Sequence, residues 1–242
     1  VSVSVTESGS TDSFTVVLDT EPASDVVVDV SSADTDEAMV DQAQLTFTSS
    51  DWDSAQTVIV SAVDDDVDDG EQATTVTVSV NASSDGAYTS VADSTVSVTT
   101  VDDDTSGYTL SATTASVTEA GSTDSFTVVL DTQPTSDVVL SVTSADTGEA
   151  TVSPSTLTFT TGNWSNAQAV DVTGVDDDVD DGDQDTTITI AVDADSSDDT
   201  YDPLADQAVT VTTVDDDTAG YTLSAATASV TEAGSTDSFT VV

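Results

Sequence analysis

Apolar and polar positions along this chain alternate with a period of two. Phe14, Val16 and Leu18 alternate with Ser13, Thr15 and Val17, and Val76, Val78 and Val80 alternate with Thr75, Thr77 and Ser79. Ile188, Ile190 and Val192 continue the pattern further on, and Val96 and Val98 sit between Thr95, Ser97 and Thr99. β-Branched residues at period two, separated by clusters of Asp, Ser, Gly and Pro, predict short strands with one buried face. No window shows the 3.6-residue period or the start signals of a helix.

The same pattern returns along the chain. TESGSTDSFTVVLDTEP from Thr6 recurs as TEAGSTDSFTVVLDTQP from Thr118, and TEAGSTDSFTVV follows again from Thr231. Trp52 pairs with Trp164 and Asp64 with Asp176 at an offset of 112, whereas Tyr88 with Tyr201 and Asp102 with Asp215 lie 113 apart. One residue is therefore inserted in the second repeat near Asp193–Asp195. The chain reads as a window of a longer array: a first repeat over 1–104, a linker at 105–107, a second repeat over 108–217, a linker at 218–220, and a partial third repeat over 221–242.

In the second repeat the pattern predicts seven strands. Strand A ends near Glu119, B covers about Asp124–Asp131, C runs Asp137–Thr143, and D is Thr156–Thr160. E is Gln168–Val175, F is Thr186–Asp193, and G is Gln207–Val214. Seven short strands in about 110 residues fit an immunoglobulin-like two-sheet sandwich. The expected fold is all-β: tandem seven-stranded immunoglobulin-like β-sandwich repeats. Trp164 and Tyr201 are expected to anchor the core, with packing in loops as the other possibility.

Composition narrows the chemistry. The 242 residues include 48 acids, 41 of them Asp, and not one Lys, Arg, His or Cys. A net charge of −48 repels phosphate, so no nucleic-acid partner is expected, and no direct insertion into a membrane. Zinc and haem sites, disulfides and His-based triads are excluded for want of their residues. No apolar run is long enough to cross a bilayer, and the opening VSVSVTES lacks the basic region of a signal peptide. Hard-cation chemistry remains, because clustered carboxylates are what Ca²⁺ binds.

Strand parity gives the acids a place. If A runs upward and each later strand reverses, the A–B, C–D and E–F loops and the exit of G share one end. Glu119, then Asp146 and Glu149, then Asp176–Asp183, then Asp215, Asp216 and Asp217 fall at those four places. The opposite end receives Pro134, the Gly162–Asn166 turn and the looser acidic stretch Asp195–Asp202. So many carboxylates at one end repel one another unless a cation intervenes. Six to eight oxygens per Ca²⁺, with carboxylates shared, suggests roughly two to four ions per repeat. The alternative is a solvated acidic surface of the halophile kind; against it, triple Asp recurs at equivalent places in both repeats.

The order V-T-E-x-G, an acidic C–D segment, L-T-F, V-D-D-D-x-x-D-G and a terminal V-D-D-D resembles the Calx-β domain. That domain is the calcium-binding sandwich of sodium–calcium exchangers, found also in integrins and in large bacterial surface proteins. The resemblance spans both repeats nearly end to end. It implies Ca²⁺ ligands at the strand-A acid, Glu7, Glu119 and Glu232, and at the C–D acid, Glu37 and Glu149, where the family usually has Asp. It places the E–F ligands at Asp64, Asp65 and Asp69, and at Asp176, Asp177 and Asp181. The terminal ligands fall at Asp102, Asp103 and Asp104, and at Asp215, Asp216 and Asp217. One departure stands out: the family's last E–F acid falls on Gln72 and Gln184, so either Glu71 and Asp183 substitute for it, or an ion is weaker or missing.

Other motifs are set aside. Asp64-x-Asp66-x-Asp68 mimics an EF-hand loop, but Gly70 comes one place late and position 12 is Thr75. Asp146-Thr147-Gly148 spells the aspartic-protease triplet, yet the first repeat has Asp34-Thr35-Asp36 there. Paired carboxylates could serve a glycosidase, but no aromatic sugar platform accompanies them. The expected function is a non-enzymatic bacterial cell-surface or secreted spacer, stiffened by Ca²⁺, in an adhesin or surface filament. Its partners would be neighbouring repeats of the same chain, with possible self-association into filaments. Direct binding of glycan, ice or mineral is the further alternative.

Overall fold

The computed structural model describes residues 1–242 and contains strands but no helix. In the first repeat the strands are β1 (Ser2–Thr6), β2 (Thr11–Val16), β3 (Val26–Ser32), β4 (Ala38–Val40), β5 (Gln44–Phe47), β6 (Gln56–Ala62), β7 (Gln72–Val80) and β8 (Ser94–Val101). They form a five-stranded sheet of order β1-β8-β7-β3-β5 and a three-stranded sheet of order β2-β6-β4. The alternation of the sequence supplies the core between them. Val5, Val26, Phe47, Val58, Val60, Val76 and Val98 are fully excluded from solvent, while the intervening Thr and Ser stay outside. Each such side chain contributes about 1.5–3 kcal/mol of burial, against the backbone entropy of ordering it.

The second repeat repeats the plan with β9 (Tyr108–Leu110), β10 (Thr114–Thr118), β11 (Thr123–Leu130), β12 (Val138–Ser144), β13 (Ala150–Ser153), β14 (Thr156–Phe159), β15 (Gln168–Gly174), β16 (Gln184–Val192) and β17 (Gln207–Val214). Its sheets have the orders β10-β17-β16-β12-β14 and β13-β15-β11-β9. All seven predicted strands are present, within two residues of the expected ends. The chain divides into two compact units: Val1–Tyr108 with Leu130–Asp137 and Thr160–Ser165, and Thr109–Val129 with Val138–Phe159 and Asn166–Val242. Residues 221–242 form no strand, only an isolated bridge from Leu223 to Val241, and their side chains are exposed.

Three features differ from the sequence reading. A further strand precedes strand D: β4 and β13 pair with β6 and β15 in the smaller sheet, and strand D itself, β5 and β14, then lies on β3 and β12 in the larger one. The short Ala-Met-Val and Ala-Thr-Val runs carry too little periodicity to be seen as strands. The edge strand β9 is likewise absent from the sequence pattern. Tyr201 is a fully buried core residue, but Trp52 and Trp164 are only half-buried, in the turn after strand D. There their carbonyls accept from Leu18 and Leu130 N–H, so the tryptophans belong to a packed loop.

Strands A and G lie side by side and parallel in each repeat. Thr6 pairs with Val101 and Thr118 with Val214, the last residues of β1, β8, β10 and β17. The two strands therefore end level, and the residue after each is an acid.

Candidate metal centre

Glu7 continues the parallel ladder for one more step, its N–H donating to Val101 O at 3.2 Å, and Glu119 does the same to Val214 O at 3.1 Å. This directs each glutamate towards the aspartates that follow strand G. Oxygens of Glu7, Asp102 and Asp104 all lie within 4.8 Å of one another, as do those of Glu119, Asp215 and Asp217. Glu7 is 3% exposed and Glu119 1%. The Oε2 atom of each is buried without a hydrogen-bond partner, as are Glu37 Oε2, Glu149 Oε2 and Asp217 Oδ2.

The terminal aspartates are held by backbone donors. Asp102 Oδ1 accepts from Asp104 N–H and Oδ2 from Gly70 N–H, both at 2.7 Å. Asp215 receives the same pair of bonds from Asp217 and Gly182, at 2.8 and 2.7 Å. Gly70 and Gly182 have φ of +76° and +78°. That left-handed turn suits glycine, and it points the loop N–H groups at the carboxylates.

The E–F loop is shaped by further short-range bonds, Val67 N–H to Asp65 Oδ1 and Val179 N–H to Asp177 Oδ1. Gln72 and Gln184, which stand where the resembled family has its last acid, donate from Nε2 to Asp69 O and Asp181 O. The glutamines thus brace the loop.

The unexpected strands β4 and β13 place the third component. Ala38 pairs with Ala62 and Ala150 with Gly174, and the Glu37 and Glu149 carbonyls then accept from Val63 and Val175 N–H at 2.9 and 2.8 Å. Thr100 and Thr213, both buried, donate to the same two carbonyls from behind. Each C–D glutamate is thereby fixed at the foot of the E–F loop.

Electrostatics links these groups. Burial pushes the Glu7 carboxyl up to about 7, and Asp65, Asp102, Asp69 and Glu37 add repulsion in that order. Glu37 is raised by burial and then by Asp69, Asp34, Asp65 and Asp36. Asp104 is raised by burial, Asp102, Asp103, Asp66 and Asp65. Glu119, Glu149 and Asp217 are raised by burial before the charges around them. With no basic side chain in the sequence, nothing in the protein relieves this repulsion.

The structure thus draws together Glu7, Glu37, Asp65, Asp69, Asp102 and Asp104 in one repeat, and Glu119, Glu149, Asp177, Asp181, Asp215 and Asp217 in the other. Asp176 acts on Asp217, Asp103 lies exposed beside Asp104, and Asp216 N–H bonds the Glu119 carboxylate. Asp183 Oδ1 accepts from Asp215 N–H at 3.3 Å. Asp64 and Glu71 are exposed on the E–F loop, and Glu232 is exposed within 221–242, away from any strand pair. The sequence reading does not single out Asp34, Asp66 and Asp178 as ligands, although they face these clusters. Nor does it single out Asp68 and Asp180, whose Oδ2 atoms accept from Ser106 and Ala219 N–H. Only their place in the acid runs could have signalled them.

No family model matches the chain, and no curated protein matches it. Among solved structures it is similar to the calcium binding domain CBD12 of CALX1.1, with 14% identity over 78% of this chain and 77% of that one, at a TM-score of 0.36. It is also similar to the S-layer protein rSbsC(31-844), with 21% identity over 81% of this chain and 21% of that one, at a TM-score of 0.39. A third likeness, to the E. coli chaperone DraB, has 10% identity over 48% of this chain and a TM-score of 0.36; the chain spans 59% of that protein's length. Likeness at this level does not extend to function. No helix is long and apolar enough to cross a membrane.

The raised carboxyls set the sign of the pH dependence without metal. Glu7 holds its proton up to about 7 when folded but only to its ordinary value of 4.5 when unfolded. The folded state therefore holds more protons across that interval, and stability falls as pH rises through it. Asp51 and Asp85, lowered by hydrogen bonds, act oppositely and only below the usual Asp range. Chelated protein is expected to unfold at lower urea concentration at pH 7.5 than at pH 5. A midpoint that rises with pH would show that these carboxyls are not buried together.

Proposed function

We propose that each repeat is a Ca²⁺-binding β-sandwich and that the chain serves as a non-enzymatic, extracellular structural spacer. One observation carries this reading. A buried glutamate with an unpartnered oxygen converges with two aspartates at the level end of strands A and G, in a chain lacking every basic side chain. A buried charge without a partner is costly, and the only counter-charge available is a cation from solvent. All donors are oxygen, which favours Ca²⁺ or Mg²⁺ over zinc. The wide ring of surrounding carboxylates suits the six to eight oxygens of Ca²⁺ better than the tight octahedron of Mg²⁺.

Glu7, Asp102 and Asp104 would hold an ion in the repeat over 1–104, and Glu119, Asp215 and Asp217 in the repeat over 108–217. Glu37, Asp65 and Asp69, with Glu149, Asp177 and Asp181, would supply further oxygens as the loop closes. Such an ion bonds the exit of strand G to strand A and the E–F loop, immediately before the linkers at 105–107 and 218–220. It thereby stiffens the module where the chain leaves it. In this role Ca²⁺ replaces the disulfides of other extracellular domains, since the chain has no cysteine. Millimolar calcium outside cells fills even weak oxygen sites.

Calorimetric titration of chelator-stripped protein tests the reading. Saturable Ca²⁺ binding is expected, with at least one ion per repeat and with Mg²⁺ competing poorly. Absence of saturable binding at millimolar Ca²⁺ would refute it.

A further inference from the structure

One buried group has no place in the strand-end site. Ser106, in the linker at 105–107, is 7% exposed, and its Oγ is buried without a hydrogen-bond partner. A hydroxyl in that state has lost its hydration with nothing in its place. The groups around it are carboxylates. Ser106 N–H donates to Asp68 Oδ2 at 2.7 Å, and covalent geometry keeps the hydroxyl within about 4 Å of that nitrogen. The next residue is Gly107, where a Cβ would stand 2.5 Å from Asp131 Oδ2. Glycine is therefore what lets the Asp131 carboxylate reach the linker. Two backbone bonds hold this contact: Asp131 N–H donates to Gly107 O at 2.9 Å, and Gln133 N–H to Asp66 O at 2.6 Å. All of these residues lie in the compact unit formed by Val1–Tyr108 with Leu130–Asp137 and Thr160–Ser165.

A hydroxyl between two carboxylates is matched to a cation. The chain has no basic side chain to stand between Asp68 and Asp131. The Asp66 and Asp104 carboxylates add negative charge close by, since Asp66 is among the acids that raise Asp104. Ca²⁺ takes neutral and charged oxygens together, so the serine hydroxyl fills one position, the two aspartates fill others, and water completes the six to eight. The linker at 218–220 has the same frame without the hydroxyl. There Asp180 Oδ2 accepts from Ala219 N–H at 2.7 Å, and alanine stands where the earlier linker has Ser106. The turn itself therefore does not require the Ser106 hydroxyl.

We propose that Asp68, Ser106 and Asp131 form a further Ca²⁺ site, in the linker and separate from the strand-end site of Glu7, Asp102 and Asp104. None of its three ligands belongs to the set that the resemblance to the Calx-β domain implies. Its ion ties the E–F loop, the linker and the turn after β11 to one another. Two carboxylates and a hydroxyl make a weak site, in the range of about 10⁻⁴–10⁻³ M found in extracellular modules, so it fills last as calcium rises.

Equilibrium dialysis of the 242-residue chain against Ca²⁺ up to millimolar concentration tests this by counting ions. The Ser106→Ala and Asp131→Asn chains are each expected to weaken one ion by about ten-fold or more and to leave the others unchanged. Glu7→Gln is expected to weaken a different ion, so its effect adds to that of Ser106→Ala in the double variant. Melting separates ligation from a structural role. With chelator, Ser106→Ala should melt no lower than the parent, since it removes an unpartnered hydroxyl; with saturating Ca²⁺ it should melt lower. Binding that Glu7→Gln weakens, but that Ser106→Ala and Asp131→Asn leave intact, would overturn this site and spare the strand-end reading. A Ser106→Ala chain that melts equally lower in both conditions would overturn it too. A chain that binds no Ca²⁺ at all would overturn both.

Discussion

Stripping calcium from this chain is expected to lower its melting temperature by tens of degrees. A site filled at a thousand times its Kd contributes about 4 kcal/mol, which moves the midpoint of a domain of this size by about 15–30 °C. The cause lies in the unpartnered Glu7 and Glu119 oxygens and the repulsion gathered around them. Folding without metal must bring these carboxylates together unscreened or protonate some of them. Folding with metal turns the same convergence into ligation. The pH dependence should reverse as well: with Ca²⁺ present, raising pH removes the competing protons and strengthens the fold. Scanning calorimetry with Ca²⁺ and with chelator, each at pH 5 and 7.5, checks both effects. Superimposed transitions in the two buffers would refute the metal-coupled fold.

Replacing Glu7 or Glu119 by Gln should act with opposite sign in the two states. The amide keeps the shape of the side chain and one oxygen but removes the desolvated charge. Without calcium the Glu7→Gln chain should melt higher than the parent at neutral pH, because a carboxyl penalised first by burial and then by its acidic neighbours is gone. With calcium it should bind about 10- to 100-fold more weakly at that repeat, a loss of the size seen when a metal's supporting groups are removed. Glu119→Gln should do the same in the second repeat.

A merely structural acid behaves otherwise. Asp85 is buried at the other end of the sandwich, where its carboxylate accepts from Ala23, Ser24 and Ala87 N–H. Asp85→Asn should therefore destabilise the protein equally with and without calcium. If Glu7→Gln followed the Asp85→Asn pattern, Glu7 would be a structural acid and not a ligand.

Much of the fold was legible because alternation, β-branched residues and a long internal repeat all point the same way. Strand G is predicted at its observed ends, Gln207–Val214, and the others nearly so. The strand ahead of D is not, because β4 and β13 are three and four residues long and their pairing with β6 and β15 is a choice between two sheets. The tryptophans mislead for a related reason: a large apolar side chain at a recurring place says that it packs, but not where. For the site, the recurrence of Glu7, Glu37 and the two Asp runs marks the loops whose carboxylates the fold brings together. Which members of each run face inward depends on the turns at Gly70 and Gly182, so Asp66 and Asp178 emerge only with the structure.

Sequence alone determined that this is an all-β repeat protein whose acids gather at recurring strand ends and whose chemistry is limited to oxygen ligands. Those properties follow from residue type and spacing, which are local. Tertiary structure decided that strands A and G end level and parallel, so that Glu7 meets Asp102 and Asp104 across most of a repeat's length of chain. It also decided that the glutamate oxygen is buried and unpartnered, and that the Glu37 backbone is held at the foot of the E–F loop. Register, burial and edge pairing arise only when distant segments pack, and no local pattern specifies them.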